Sequence, residues 1–224
     1  IGPVLSLSLV GKSGGMGIAL RDPREFSPLV NLGNQIIDNN QIPTPSGYEL
    51  DFIRQINRES IQYSDELKMA GEKGQNKVEY PDSTLAGQLA LIARLIDGGM
   101  QSRVYLVSQR GYDTHANQLD RHATLMTDLN DAALAFQRDL DSLGHAERVI
   151  GMTISEFGRR VEENGSAGTD HGTSAPIFLF GSEIKPGLLG PDPDFRNLDG
   201  RGDFFHSYDF RQVYASVLSQ WFEI

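Results

Sequence analysis

Two helix-length apolar stripes, each followed by a short apolar run, constrain this chain more than any other feature. Leu85, Leu89, Ile92 and Ile96 recur at three- and four-residue spacing, with Asp82 or Ser83 placed to cap the helix and Gly98-Gly99 to stop it. The apolar run 103–108 follows. Leu119, Met126, Leu129, Ala133, Phe136, Leu140 and Leu143 then predict a helix from about Asn117 to Leu143, with Gly144 as its stop. A second apolar run covers 148–155 and a third covers 177–181. Helices alternating with nearly continuous apolar strands predict an α/β fold whose sheet is largely parallel and covered by helices on both faces.

The flanks are less regular. Leu50, Phe52, Ile53, Ile56, Ile61, Leu67 and Met69 predict an earlier helix ending at Gly71, and residues 72–80 read as a polar connector. Residues 1–47 form an irregular N-terminal segment broken by Pro23, Pro28, Pro43 and Pro45, although residues 4–10 alternate like a half-buried strand. Gly11-Lys12-Ser13-Gly14-Gly15 imitates the end of a phosphate-binding loop, but Ser6 stands where that loop needs glycine, so a glycine turn is expected instead. Residues 182–206 read as a loop rich in Pro, Gly and Asp. The last helix is predicted from near Asp209, with Phe210, Val213, Tyr214, Val217 and Trp221 facing inward. No repeat and no linker divides the chain, so residues 1–224 are expected to form one α/β domain. The opening Ile1-Gly2-Pro3 suits the C-terminal part of a longer protein.

A net charge of −10 argues against nucleic-acid binding, which needs a basic surface. No apolar run approaches the ~18–20 residues of a bilayer span. With no cysteine in the chain, any metal must be held by His, Asp and Glu.

Three groups of such residues border the predicted strands. Asp113 and His115 follow the first run, and residues two apart reach one point in a loop or share one face in a strand. The alternative is a polar turn in which Asp113 caps the next helix. Glu156 ends the second run, where partial burial would demand a partner: a metal, or Arg159 or Arg160. Asp170-His171-Gly172 lies in a stretch with Gly165 and Gly168, where glycine permits close approach to a ligand; a solvated Asx turn is the alternative. His122, His145 and His206 sit at positions that suggest no catalytic role. Asn164-Gly165-Ser166 fits the glycosylation pattern, which is too short to carry weight. No Gly-x-Ser-x-Gly elbow and no motif for an organic cofactor is present.

Four blocks carry a resemblance. Residues 111–118 (GYDTHANQ), 155–159 (SEFGR), 168–173 (GTDHGT) and 209–214 (DFRQVY) resemble, in order, the blocks of the bacterial domain-of-unknown-function 1501 proteins. The resemblance spans most of residues 80–222. It implies an alkaline phosphatase-like (sulfatase-like) fold, export to the periplasm, and a divalent metal such as zinc, manganese or calcium. By order along the chain, Asp113 and His115 correspond to the superfamily's first ligand pair and Glu156 to its second Asp. His171, followed by Pro176, corresponds to its last His, while Phe157 stands where another His is expected. An alternative register matches Asp170-His171 to the Asp-His pair. The resemblance further implies that the nucleophile lies upstream of Ile1. The expected activity is metal-dependent hydrolysis of a small phosphate or sulfate ester, with Asp113, His115, Glu156, Asp170 and His171 binding metal or positioning water. Arg159 would pair with Glu156 or with the anionic substrate. The alternative expectations are a non-catalytic exported binding or scaffold protein and an accessory protein for carbohydrate processing.

Overall fold

The computed structural model describes Val10, Gly11, Gly14, Gly15, Tyr63 and residues 65–223. The alternation at residues 4–9 and the stripe from Leu50 to Ile61 lie outside the described residues. The fold is mixed α/β, and the chain divides into two compact units. One comprises Ile1–Arg110 and Asp128–His145, the other Gly111–Thr127 and Ala146–Ile224.

The first unit begins with β1 (Val10–Gly11) and β2 (Gly14–Gly15), paired antiparallel with Gly11 opposite Gly14, which is the expected glycine turn. Residues 65–73 are helical (α1). The helix runs past Gly71, which does not adopt the left-handed φ of a terminating glycine, and Met69 points outward. Helix α2 (Thr84–Asp97) follows the sequence closely. The Ser83 hydroxyl accepts from Ala86 N–H at 3.2 Å, Gly98 N–H bonds Arg94 O at 2.9 Å, and Leu85, Leu89, Ile92 and Ile96 are all buried. Leu67, Ala70 and Leu95 form a core cluster with Leu91 and Met100 packed against it. The chain passes so close to α2 that a Cβ on Gly74 would lie 1.8 Å from the Arg94 carbonyl oxygen, so glycine is required there.

Helix α3 (Gln118–Leu143) has the expected extent but only part of the expected face. Ala132, Ala135, Phe136, Asp139 and Leu140 are buried, whereas Leu119 is 83% exposed. Helical periodicity defines a face; what packs against it decides how far along the helix that face is covered. Asp139 holds the connector that follows α1. Its carboxylate accepts from Asn76 Nδ2 at 2.8 Å, Lys77 N–H at 2.7 Å and Tyr80 OH at 3.0 Å. Asn76 Nδ2 also donates to Ala90 O at 2.8 Å, and Lys77 Nζ to Ser142 O at 2.9 Å. Residues 72–80 are therefore a pinned segment rather than a loose polar link.

Among the described residues the second unit shows antiparallel pairs and not the expected parallel sheet. Strand β3 (Gly151–Met152) pairs antiparallel with β6 (Leu179–Phe180), and β4 (Gly158–Glu163) pairs antiparallel with β5 (Thr169–Gly172). No parallel pair occurs among the described residues. For β4 and β5 the reason lies in the connection. Parallel neighbours need a crossover of about a dozen residues or more, and residues 164–168 join β4 to β5 directly. Residues 103–108 form no strand, and Val104 is 56% exposed: an apolar run without a ladder is not sufficient. Helix α4 (Phe210–Gln220) starts with a capping box between Asp209 and Gln212. Val213, Tyr214, Val217 and Trp221 are half-buried, but Phe210 is exposed. No helix among the described residues is long and apolar enough to cross a membrane.

Candidate metal centre

The site is built on the β4–β5 hairpin and the turn before α3, all within the second unit. Thr114 is buried while Asp113 and His115 are exposed, so these two side chains share the outer side of a tight turn in which Thr114 N–H bonds Tyr112 O at 2.9 Å. Asp113 therefore does not serve as a cap for α3. The first amides of that helix region are satisfied by the hairpin turn: Asn117 N–H bonds Ser166 O at 3.1 Å and Gln118 N–H bonds Ala167 O at 2.8 Å. Gly168 allows the turn to approach, because a Cβ there would sit 2.3 Å from the His115 carbonyl carbon. The glycines read as making room for a ligand thus include one that makes room for the backbone of a site residue.

The stretch read as a glycine-rich loop is in part a strand. The β4–β5 register sets Arg159 opposite His171. Directly opposed residues project from the same face, so this pairing brings the guanidinium and the imidazole together. Arg159, only 18% exposed, donates from Nη1 to Thr169 O at 2.5 Å and from Nη2 to Tyr112 O at 2.5 Å. Its Nη2 also lies 3.3 Å from Asp113 Oδ1. It thereby ties β4, β5 and the segment carrying Asp113 into one assembly.

At the centre, Asp113 Oδ1 lies 2.8 Å from His171 Nε2 and 3.1 Å from His115 Nε2. One ligand atom from each of the three residues falls within 4.8 Å of the others. The hydrogen bond from His171, helped by the charges of both histidines and by Arg159, holds the Asp113 carboxyl below its ordinary pKa of 3.8. The Phe157 ring stacks on the His171 ring at 3.9 Å between centroids and 7° between planes, and Arg159 lies over the same phenyl ring at 5.0 Å. His171 is thus held by a flat apolar wall as well as by Asp113.

Asp170 stands beside this cluster. Its Oδ1 is 3.4 Å from His115 Nδ1 and 3.3 Å from Asn164 Nδ2. The Asn164 hydrogen bond is the main reason its carboxyl titrates lower than usual, with His115 adding to it. Glu156, in contrast, is exposed and lies outside the three-residue cluster. Arg159 contacts Asp113 in place of the expected Glu156. His122 packs edge-on against Tyr112, and His145 pairs with Asp97 at 3.2 Å in the other unit. Sequence reasoning missed Asn164 and the stacking role of Phe157. Asn164 Oδ1 accepts from Ser166 N–H at 2.9 Å and Gly168 N–H at 3.2 Å, and Asn-Gly-Ser is a recognisable signal for such an Asx turn.

The residues fit a divalent ion. Two imidazole nitrogens and one carboxylate oxygen match a three-ligand zinc site with an open fourth position. Tetrahedral ligands about 2.0–2.1 Å from an ion stand about 3.3 Å apart; Asp113 Oδ1 is 3.1 Å from His115 and, at hydrogen-bond distance, 2.8 Å from His171, whose ring must draw back slightly to admit an ion. Imidazole donors favour zinc over manganese, which prefers oxygen ligands, and over calcium, which takes six to eight of them.

A family profile described as "Protein of unknown function (DUF1501)" matches residues 48–210, well over half of the chain. No curated protein and no solved structure matches it.

Proposed function

The chain belongs to the DUF1501 family, and from that premise we propose that Asp113, His115 and His171 bind one divalent transition metal, in a protein that hydrolyses small phosphate or sulfate esters. The observation that carries this reading is the convergence of two imidazoles and a carboxylate on one accessible point: Asp113 is 63% exposed. A carboxylate with only structural work has no need of two imidazole partners facing solvent.

When bound, a divalent ion supplies Lewis acidity toward an ester oxygen and activates water at neutral pH. The chain's own residues prepare the place. Asp113 is kept ionised by its hydrogen-bond donors. Phe157 restricts His171 to one ring plane and excludes water from one of its faces. Arg159 fixes the spacing between the hairpin and the Asp113 segment. The finer assignment, to the alkaline phosphatase-like superfamily, is supported by the order of Asp113–His115 and His171 along the chain, and not by the exposed Glu156.

A second reading is a metal-binding protein without hydrolytic activity. Arg159 favours it, since both its Nη groups are committed to backbone carbonyls rather than presented to an anionic substrate. Zinc and manganese titrations followed by calorimetry, with aryl phosphate and aryl sulfate hydrolysis on the loaded protein, separate these readings. The expected outcome is one ion per chain, loss of uptake in His171→Ala, and release of the aryl alcohol. Uptake without turnover selects the second reading; uptake unchanged in His171→Ala rejects both.

A further inference from the structure

We infer that Asp170 positions His115 and is not itself a ligand, and that Asn164 holds both of them in place. This inference rests on the metal-site reading above. His115 has a carboxylate at each end of its ring: Asp113 Oδ1 at 3.1 Å from Nε2 and Asp170 Oδ1 at 3.4 Å from Nδ1. A neutral imidazole carries one N–H, so the two ends cannot both donate. With His171 Nε2 beside the same Asp113 oxygen, the Nε2 end of His115 faces the point where the three ligand atoms converge. The Nδ1 end faces away from it, toward Asp170. At 3.4 Å Asp170 stands where a small approach on metal binding lets it accept the Nδ1 proton, leaving the Nε2 lone pair directed at the metal. A carboxylate behind a ligating histidine acts in this way, fixing tautomer and ring orientation and raising ligand basicity.

Asn164 supports the arrangement at three points. Its Nδ2 donates to Asp170 Oδ1 at 3.3 Å and to the His115 carbonyl oxygen at 3.0 Å. Its Oδ1 accepts from Ser166 and Gly168 N–H groups in the β4–β5 turn. A single amide therefore sets the turn, the backbone of His115 and the carboxylate behind its ring. The inference gives Asp170, expected from the sequence to ligate metal, a role one residue removed from the ion.

The test is zinc titration by calorimetry of the wild-type chain, Asp170→Ala, Asp170→Asn and His171→Ala, with nitrogen-15 NMR of the His115 ring in the zinc-loaded state. The wild-type chain should show the Nδ1–H tautomer of His115. Asp170→Ala should keep a stoichiometry of one while its affinity falls about 10- to 100-fold, and Asp170→Asn, which keeps an acceptor oxygen of the same shape, should recover part of that loss. Loss of stoichiometric uptake in both Asp170 variants, as in His171→Ala, would make Asp170 a ligand and overturn the inference. Wild-type affinity and an unchanged tautomer in Asp170→Ala would overturn it by removing any role. In both of those cases the metal site itself stands. No uptake by the wild-type chain would instead overturn the metal-site reading, and this inference with it.

Discussion

Asp139 and Asp113 are both carboxylates ringed by three donors, and the contrast between them separates structure from function in this chain. Asp139 is fully buried, and its partners are an amide, a backbone N–H and a phenol. None of these is a useful metal ligand, and every contact closes a bond between α3 and the segment after α1. Asp113 is largely exposed, and its partners are two imidazoles and a guanidinium. Exposure with nitrogen ligands is a poor way to stabilise a fold, since solvent screens such pairs, and a good way to hold an ion. The number of donors around a carboxylate says little; their identity and their access to water decide what it can do.

The contrast can be broken by paired alanine substitutions. Asp139→Ala removes three hydrogen bonds to a buried carboxylate and should cost about 3 kcal/mol, seen as a lowered urea midpoint in circular dichroism. Asp113→Ala should leave the midpoint in place while removing metal uptake. Comparable shifts in the two variants would erase the distinction.

A smaller effect sharpens it. Tyr80→Phe removes one of the Asp139 contacts and should cost about 1 kcal/mol at neutral pH. Burial, together with the adjacent Asp139 carboxylate, pushes the Tyr80 hydroxyl well above its ordinary pKa of 10.0. The folded state then holds this proton more tightly than the unfolded state. The contribution is complete below the unfolded pKa of about 10 and is lost as pH rises above it. Wild-type stability should therefore fall more steeply than that of Tyr80→Phe in alkaline urea titrations. Parallel curves would show that the phenol is not held neutral.

Legibility in the sequence followed how local the determinants were. The capped helix α2 was readable because Ser83, its stripe and Gly98 are near neighbours in the chain. That Asp113 and His115 can reach one point was readable from their spacing, which allows a loop as well as a strand, and the turn at Asp113 is the loop case. The β4–β5 hairpin was not readable: Gly158–Glu163 is Gly-Arg-Arg-Val-Glu-Glu, with no apolar alternation, and the turn glycines masked β5 as loop. That error hid the Arg159–His171 pairing, which depends on register. The antiparallel direction of β4 and β5 follows from their short connection, residues 164–168, which the apolar runs do not reveal. The Asp139 contacts span about sixty residues of sequence (62 for Lys77), beyond any local signal.

The most direct test of the account is a crystal of the zinc-soaked protein measured on both sides of the zinc absorption edge. The expected result is one anomalous peak about 2.0–2.2 Å from Asp113 Oδ1, His115 Nε2 and His171 Nε2, with Asp170 behind the His115 ring and out of bonding range. A peak held by other residues, or none at this cluster, would contradict it.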